Sequence, residues 1–84
     1  MEKLNNRTGQ TILRQVIGVI SEQLSQSVVL PEDNYIDIGG DSLAAMKIKN
    51  ELEAQLSTTV SIESIMLAET IGEFANDLVE RVQP

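Results

Sequence analysis

Near the middle of the 84-residue chain stands the stretch Ile38-Gly39-Gly40-Asp41-Ser42-Leu43. The two glycines end the preceding segment as a loop, and the Asp-Ser pair that follows is typical of a helix N-terminus. Apolar side chains at helical spacing then resume. We therefore expect a loop to end and a helix to begin at Asp41 or Ser42.

The segment before this loop has the pattern of an amphipathic helix, with apolar residues spaced i, i+3, i+4, i+7 and i+11. These residues are Leu13, Val16, Ile17, Ile20 and Leu24. The pattern predicts a helix from Thr8 to Gln26, with the Thr8 side chain as N-cap. We expect residues 1–7 to be a flexible N-terminus, because they are polar and lie at the chain end.

The loop itself is long and contains apolar residues of its own. Pro31 prevents the first helix from continuing. Loops of about fifteen residues in a small domain are generally functional or held down by their own side chains. The anchors expected to enter the core are Leu30, Tyr35, Ile36 and Ile38.

Three further helices follow the loop. They are predicted from Asp41 or Ser42 to Leu56, from Ser61 to Leu67 and from Ile71 to Val82. Thr70 and Glu73 form the pattern of a capping box before the last one. The expected core residues are Ala45, Ile48, Leu52 and Leu56, then Ile71, Phe74, Ala75, Leu78 and Val82. The sequence thus predicts an all-α fold over residues 8–82, a small four-helix bundle with three longer helices and a short third one.

Composition excludes several classes of function. The chain has no Cys and no His, so it lacks thiolate and imidazole ligands and any Ser-His-Asp triad. Its formal net charge of −7 argues against nucleic-acid binding, which requires Lys and Arg on phosphates. Its apolar runs are much shorter than the roughly 18 residues of a membrane span. We expect a cytoplasmic monomer with no nucleic-acid or membrane partner.

Ser42 is the residue to which chemistry is most readily assigned. A phosphate ester on its hydroxyl would lie at a helix N-terminus, where unpaired amides and the helix dipole favour negative charge. The simpler alternative is that Asp41 or Ser42 only caps the helix. Gly40-Asp41-Ser42-Leu43 also spells a signature of Ser esterases, but those enzymes need a His base. A calcium loop counted from Asp33 lacks its Gly and its final Glu. We therefore expect no catalytic residue and no metal site.

With this order of helices, loop and motif, the sequence resembles the acyl and peptidyl carrier proteins, or thiolation domains, of phosphopantetheine-dependent synthesis. Their pattern is a helix, a long loop, an apolar-Gly-Gly-(Asp or His)-Ser-Leu motif, a second helix, a short third and a closing fourth. The motif is matched by residues 38–43, and Thr70-Ile71-Gly72-Glu73-Phe74-Ala75 is similar to the start of the family's last helix. The resemblance covers nearly the whole chain.

The resemblance implies a non-catalytic carrier. Ser42 would receive 4′-phosphopantetheine from coenzyme A through a phosphopantetheinyl transferase. The arm would hold aminoacyl, peptidyl or acyl groups as thioesters. Adenylating or acyl-transferring enzymes would load it, and condensing or tailoring enzymes would act downstream.

The resemblance also implies a surface for these partners. Asp41 matches the residue that helps the transferase arrange its metal and substrate, and Leu43 and Met46 match docking positions. The candidate partner-binding residues are Asp41, Leu43, Met46, Lys47, Ile65 and Met66. Several of them also suit ordinary packing in the core.

Charge distribution bears on the branch of the family. In the second helix Lys47 and Lys49 balance Glu51 and Glu53, whereas residues 61–84 hold five acids and one Arg, a net −4. This balance and the Gly pair favour nonribosomal peptide or polyketide systems, with a peptidyl carrier preferred over a polyketide acyl carrier. The alternatives are a D-alanyl carrier protein and a small acidic helical interaction module without a prosthetic group.

Overall fold

The computed structural model describes residues 7–82, which form four helices. They are α1 (Arg7–Leu24), α2 (Ser42–Leu56), α3 (Ile62–Leu67) and α4 (Ile71–Val82). No strand occurs within this described part, so the predicted all-α four-helix fold is confirmed. Except for Arg7, which is helical, the predicted flexible segment 1–7 lies outside the described residues.

Both ends of α1 differ from the prediction. Thr8 lies inside the helix and is not its N-cap. The helix ends at Leu24 because Ser25 takes the left-handed conformation, with φ of 55°. The amides of Ser25 and Gln26 then donate to the carbonyls of Glu22 and Ser21, which is a Schellman motif. The chain therefore leaves the helix two residues earlier than the apolar pattern suggests.

The core is aliphatic, with one Phe and one Tyr, and draws on every helix. Val16 and Ile20 of α1 are buried as predicted, whereas Leu13, Ile17 and Leu24 are only partly buried. Additional core residues that the pattern missed are Ile12, Val19, Val60 and Val79. α1 packs against both α2 and α4, so its buried face is wider than one stripe.

Helices α2 and α4 match their predicted faces closely. All predicted core positions of α2 and α4 are buried, except that Leu56 and Val82 at the C-terminal ends are only partly so. The amide of Glu73 donates to Thr70 Oγ1 at 3.1 Å, as expected from the Thr side of a capping box. Among the described helices, none combines the length and the hydropathy needed to cross a bilayer.

Two of the four predicted loop anchors are wrong. Tyr35 is buried and Ile38 packs partly against the core, but Leu30 and Ile36 are exposed. Residues 28–30 form no regular secondary structure, and of the three only Val29 enters the core, whereas Val28 and Leu30 are exposed. The chain then turns helically, because the Ile38 amide donates to the Asn34 carbonyl, and this places Tyr35 and Ile38 on one face.

The loop is held against the first turn of α4. The amide of Ile71 donates to the Asp33 carbonyl and the amide of Gly72 to the Pro31 carbonyl, each at 2.8 Å. Asn34 Nδ2 also donates to the Glu69 carbonyl at 3.0 Å. Amides at a helix N-terminus have no partner within the helix, so the loop supplies acceptors that α4 needs.

The end of the loop is packed around the Tyr35 ring. A Cβ atom on Gly40 would collide with three carbons of this ring. The Gly40 amide also donates to the Tyr35 carbonyl at 2.9 Å, so Gly40 contacts both the backbone and the ring of Tyr35. Gly40 is therefore required by close packing between the loop and the core.

A surface carboxylate fixes the connection between α2 and α3. Glu53 Oε2 accepts hydrogen bonds from the Val60 amide and from Lys49 Nζ, both at 2.9 Å. The bond from Val60, then that from Lys49, lowers the pKa of Glu53. Because the folded pKa is lowered, its contribution to stability is present above the unfolded pKa and is lost as pH falls through the folded value.

We expect Glu53→Gln to lower the free energy of unfolding at pH 7. The loss should shrink as pH falls below the ordinary Glu range, because wild-type Glu53 is then protonated as well. Urea unfolding of both proteins at pH 7 and pH 3 measures this. The control is Glu51→Gln, an exposed carboxylate of the same helix. A loss for Glu53→Gln that is equal at both pH values would contradict the assignment.

We expect Gly40→Ala to destabilise the fold by about 1–3 kcal/mol, the usual cost of overpacking. The new methyl group must displace the Tyr35 ring. Thermal or urea unfolding provides the measurement. Gly18→Ala is the matched control, since a Cβ at this exposed α1 position meets nothing within 4 Å. It should stabilise by about 0.5–1 kcal/mol, and equal effects of the two changes would refute this account.

Candidate functional site

Helix α2 begins where the sequence predicts. Asp41 is its N-cap, with extended backbone (φ −130°, ψ −179°), and its Oδ1 accepts the Ala44 amide at 2.8 Å. Ser42 is the first helical residue and is exposed. Cap and hydroxyl are thus two separate side chains at the same helix end.

The Ser42 hydroxyl is not used by the fold. Asp41 already performs the capping, and within residues 7–82 no side-chain or loop group forms a hydrogen bond with Ser42 Oγ. Of the simpler alternative, in which Asp41 or Ser42 only caps the helix, the structure assigns the cap to Asp41 and not to Ser42. An exposed hydroxyl beside the free amides of a first turn is a suitable site for a phosphate ester.

Gly39 shapes the turn before the site. Its φ is +101°, a conformation that L side chains rarely adopt, while the space around it is open. Its amide donates to the Ile36 carbonyl at 3.0 Å. Gly39 is thus needed for backbone conformation, as Gly40 is needed for packing. The sequence predicted that the two glycines end the loop, and the structure shows a different reason for each.

Tyr35 connects the core to the site through its hydroxyl. The hydroxyl donates to the Asp41 carbonyl oxygen at 2.8 Å. Burial raises the pKa of Tyr35, and the negative charge of Asp41 raises it further, so the phenol remains a donor at neutral pH. The sequence predicted Tyr35 only as an apolar anchor. The polar role of its hydroxyl depends on a contact that no local pattern indicates.

The predicted partner-binding residues separate into exposed and buried ones. Leu43 is 61% exposed and Met46 48%, and Lys47 beside them is exposed as well. Met66 is half-buried against the core. Ile65 is only 2% exposed, so it is a core residue and the expectation that it lies in a surface patch is corrected.

Leu67 is the exposed apolar residue of α3 that the sequence missed. Its side chain is 78% exposed at the last position of a helix that packs against α2. The six residues of α3 make fewer than two turns, too few for their spacing to define a buried face. The rotation of α3 is instead set by the contacts of Ile65 in the core.

An acidic groove lies on another part of the surface. It has a volume of about 460 Å³ and is lined by Pro31, Glu32, Thr70, Gly72, Glu73, Asn76 and Asp77. None of residues 39–43 contributes to it. In the part of the chain that the structure describes, no three carboxylates are grouped so as to hold a metal ion.

The chain was compared with known proteins. Residues 10–78 match the family described as phosphopantetheine attachment site. Nonribosomal peptide synthetase tcpP of Claviceps purpurea is 33% identical over 75 residues, which are 87% of this chain and 4% of that synthetase. Non-reducing polyketide synthase pkiA of Emericella nidulans is 31% identical over 80 residues, 93% of this chain and 3% of that synthase.

A solved structure shares the fold. BlmI, a type-II acyl carrier protein from Streptomyces verticillus involved in bleomycin biosynthesis, has a TM-score of 0.74 at 25% identity, with 84% of each chain covered. The family match includes the loop, the motif at residues 38–43 and nearly all of the helical bundle. The chain therefore belongs to the phosphopantetheine-attachment family of non-catalytic carrier domains, to which 4′-phosphopantetheine is attached.

Proposed function

We propose that Ser42 is the attachment residue for 4′-phosphopantetheine. The observation that supports this most strongly is the exposed hydroxyl at the first residue of α2, left unused because Asp41 caps the helix. The first-turn amides of α2 would favour the negative charge of the resulting phosphodiester. Once attached, the group supplies a terminal thiol on a long arm, which holds acyl groups as thioesters.

The chemistry of attachment would need a second protein. Ser42 Oγ would form a bond to the phosphorus of the pantetheine phosphate in coenzyme A. The phosphoanhydride bond would break, and adenosine 3′,5′-bisphosphate would leave. The sequence contains no His to accept the Ser42 proton, so a base of the phosphopantetheinyl transferase would take it. This chain would be a substrate in that reaction.

Asp41 would assist the transferase as well as cap the helix. Its Oδ1 accepts the Ala44 amide, which fixes the carboxylate next to Ser42. The second oxygen, Oδ2, would bind the divalent cation that the transferase brings with coenzyme A. Carboxylate oxygens are ligands that Mg²⁺ accepts at phosphate sites.

Partner enzymes would dock beside Ser42. We assign this role to Leu43, Met46 and Lys47 on α2 and to Leu67 on α3, and we leave out Ile65 because it is buried. Exposed apolar side chains next to a reactive group are typical of a protein contact. Half-buried Met66 would contribute only at the margin.

The cargo would be an aminoacyl or peptidyl group in preference to a polyketide acyl group. Support comes from the balanced charge of α2, where Lys49 pairs with Glu53 at 2.9 Å and Lys47 is exposed.

The proposed partners are the transferase, an adenylating or acyl-transferring enzyme and downstream condensing or tailoring enzymes. The cytoplasmic location remains a prediction from the sequence.

Incubation with coenzyme A and a broad-specificity transferase should add one phosphopantetheine mass to the wild-type protein and none to Ser42→Ala. Intact mass spectrometry gives the result. Ser27→Ala, an exposed Ser in the loop, is the matched control and should be modified fully. An unmodified wild type would favour an interaction module without a prosthetic group.

Screening amino acids, including D-alanine, and short acids with the loading enzyme separates the cargo classes.

Met46→Glu should lower kcat/KM for the transferase by about tenfold, because a charge replaces an apolar contact in the docking surface. The fold should be retained, since the side chain is half exposed. Initial rates measured by mass spectrometry test this. The control is Gln55→Glu, nine residues further and hence on the opposite side of α2. Equal rates for both variants would remove Met46 from the docking surface.

A further inference from the structure

The Tyr35 hydroxyl is the point at which the core is linked directly to the proposed attachment site. Tyr35 is 2% exposed and its ring lies against Gly40, so it is a rigid part of the core. Its hydroxyl donates at 2.8 Å to the carbonyl oxygen of Asp41. That carbonyl belongs to the peptide group that joins Asp41 to Ser42.

Asp41 accepts three hydrogen bonds, two from α2 and one from the loop. Its carboxylate accepts the Ala44 amide at 2.8 Å, and its carbonyl accepts the Ala45 amide at 3.0 Å. Both of these bonds join the N-cap to the first turn of α2 and would move with the helix. The bond from Tyr35 instead joins the helix to the preceding loop and the core. It therefore fixes the direction in which the first residue of α2 is presented.

We infer that Tyr35 is a positioning residue for the attachment of phosphopantetheine, an inference that rests on the proposed modification of Ser42. The bond fixes the peptide plane immediately before the nucleophile. Phosphoryl transfer needs the attacking oxygen in line at about 3–3.5 Å, and a misplacement of about 1 Å can cost up to about 100-fold in rate. A single lost hydrogen bond that leaves the helix intact should cost less.

Tyr35→Phe removes this bond and little else. The Phe ring keeps the packing against Gly40, and the Asp41 carbonyl keeps its bond from Ala45. We expect kcat for the transferase to fall by about 5- to 20-fold. KM should change less than about twofold, since the exposed residues Leu43 and Met46 remain in place.

The matched control is Ile48→Val, which removes one methylene from the buried face of α2 without touching the site. It lowers stability while leaving the Tyr35 bond intact, so its kcat should equal that of the wild type. Amide hydrogen exchange gives a second readout. It should be faster at Ala44 and Ala45, whose amides donate to Asp41, in Tyr35→Phe and unchanged at the core residue Leu52.

The outcomes distinguish the inference from the function on which it rests. If the wild type is modified and Tyr35→Phe reacts with the same kcat, the positioning role is refuted and the attachment at Ser42 stands. If Ile48→Val loses kcat to the same extent, the effect comes from stability and the inference also fails. If the wild type is not modified at all, the proposed function fails and the inference fails with it.

Discussion

The attachment of the α1–α2 loop to the first turn of α4 is the constraint on which the rest of the structure depends. Two loop carbonyls accept the amides of Ile71 and Gly72 at 2.8 Å, so the loop satisfies donors that the helix cannot pair itself. With Pro31 and Asp33 held in this way, the next helical turn directs Tyr35 into the core. Tyr35 in turn donates to the Asp41 carbonyl at the start of α2.

The described core is almost entirely apolar, whereas the proposed attachment residue, Ser42, lies on the surface. In the described residues 7–82 every buried side chain of the core is apolar except for the Tyr35 hydroxyl, and no buried polar side-chain atom lacks a partner. A domain this small buries a modest core, and an unpaired polar group inside it would cost a large part of its stability. The Ser42 hydroxyl has no such cost, because it is exposed to water.

Local sequence signals explain why some of the helix boundaries could be predicted from the sequence. Asp41 and Thr70 mark the starts of α2 and α4 through their own side chains, so both boundaries were predictable. The end of α1 could not be predicted, because Ser25 takes the left-handed conformation at a position where glycine usually marks the end of a helix. The exposure of Leu67 and the hydroxyl contact of Tyr35 depend on tertiary packing, which no spacing rule contains.

The contact between Tyr35 and Gly40 has a consequence for protein engineering. The ring fits only because the facing residue has no side chain, so these two positions cannot be exchanged independently between related domains. A chimera that joins a foreign loop to this α2 between residues 35 and 40 would separate the pair. Crossover points should lie before Asp33 or after Ala45, so that loop and helix start are transplanted as one unit.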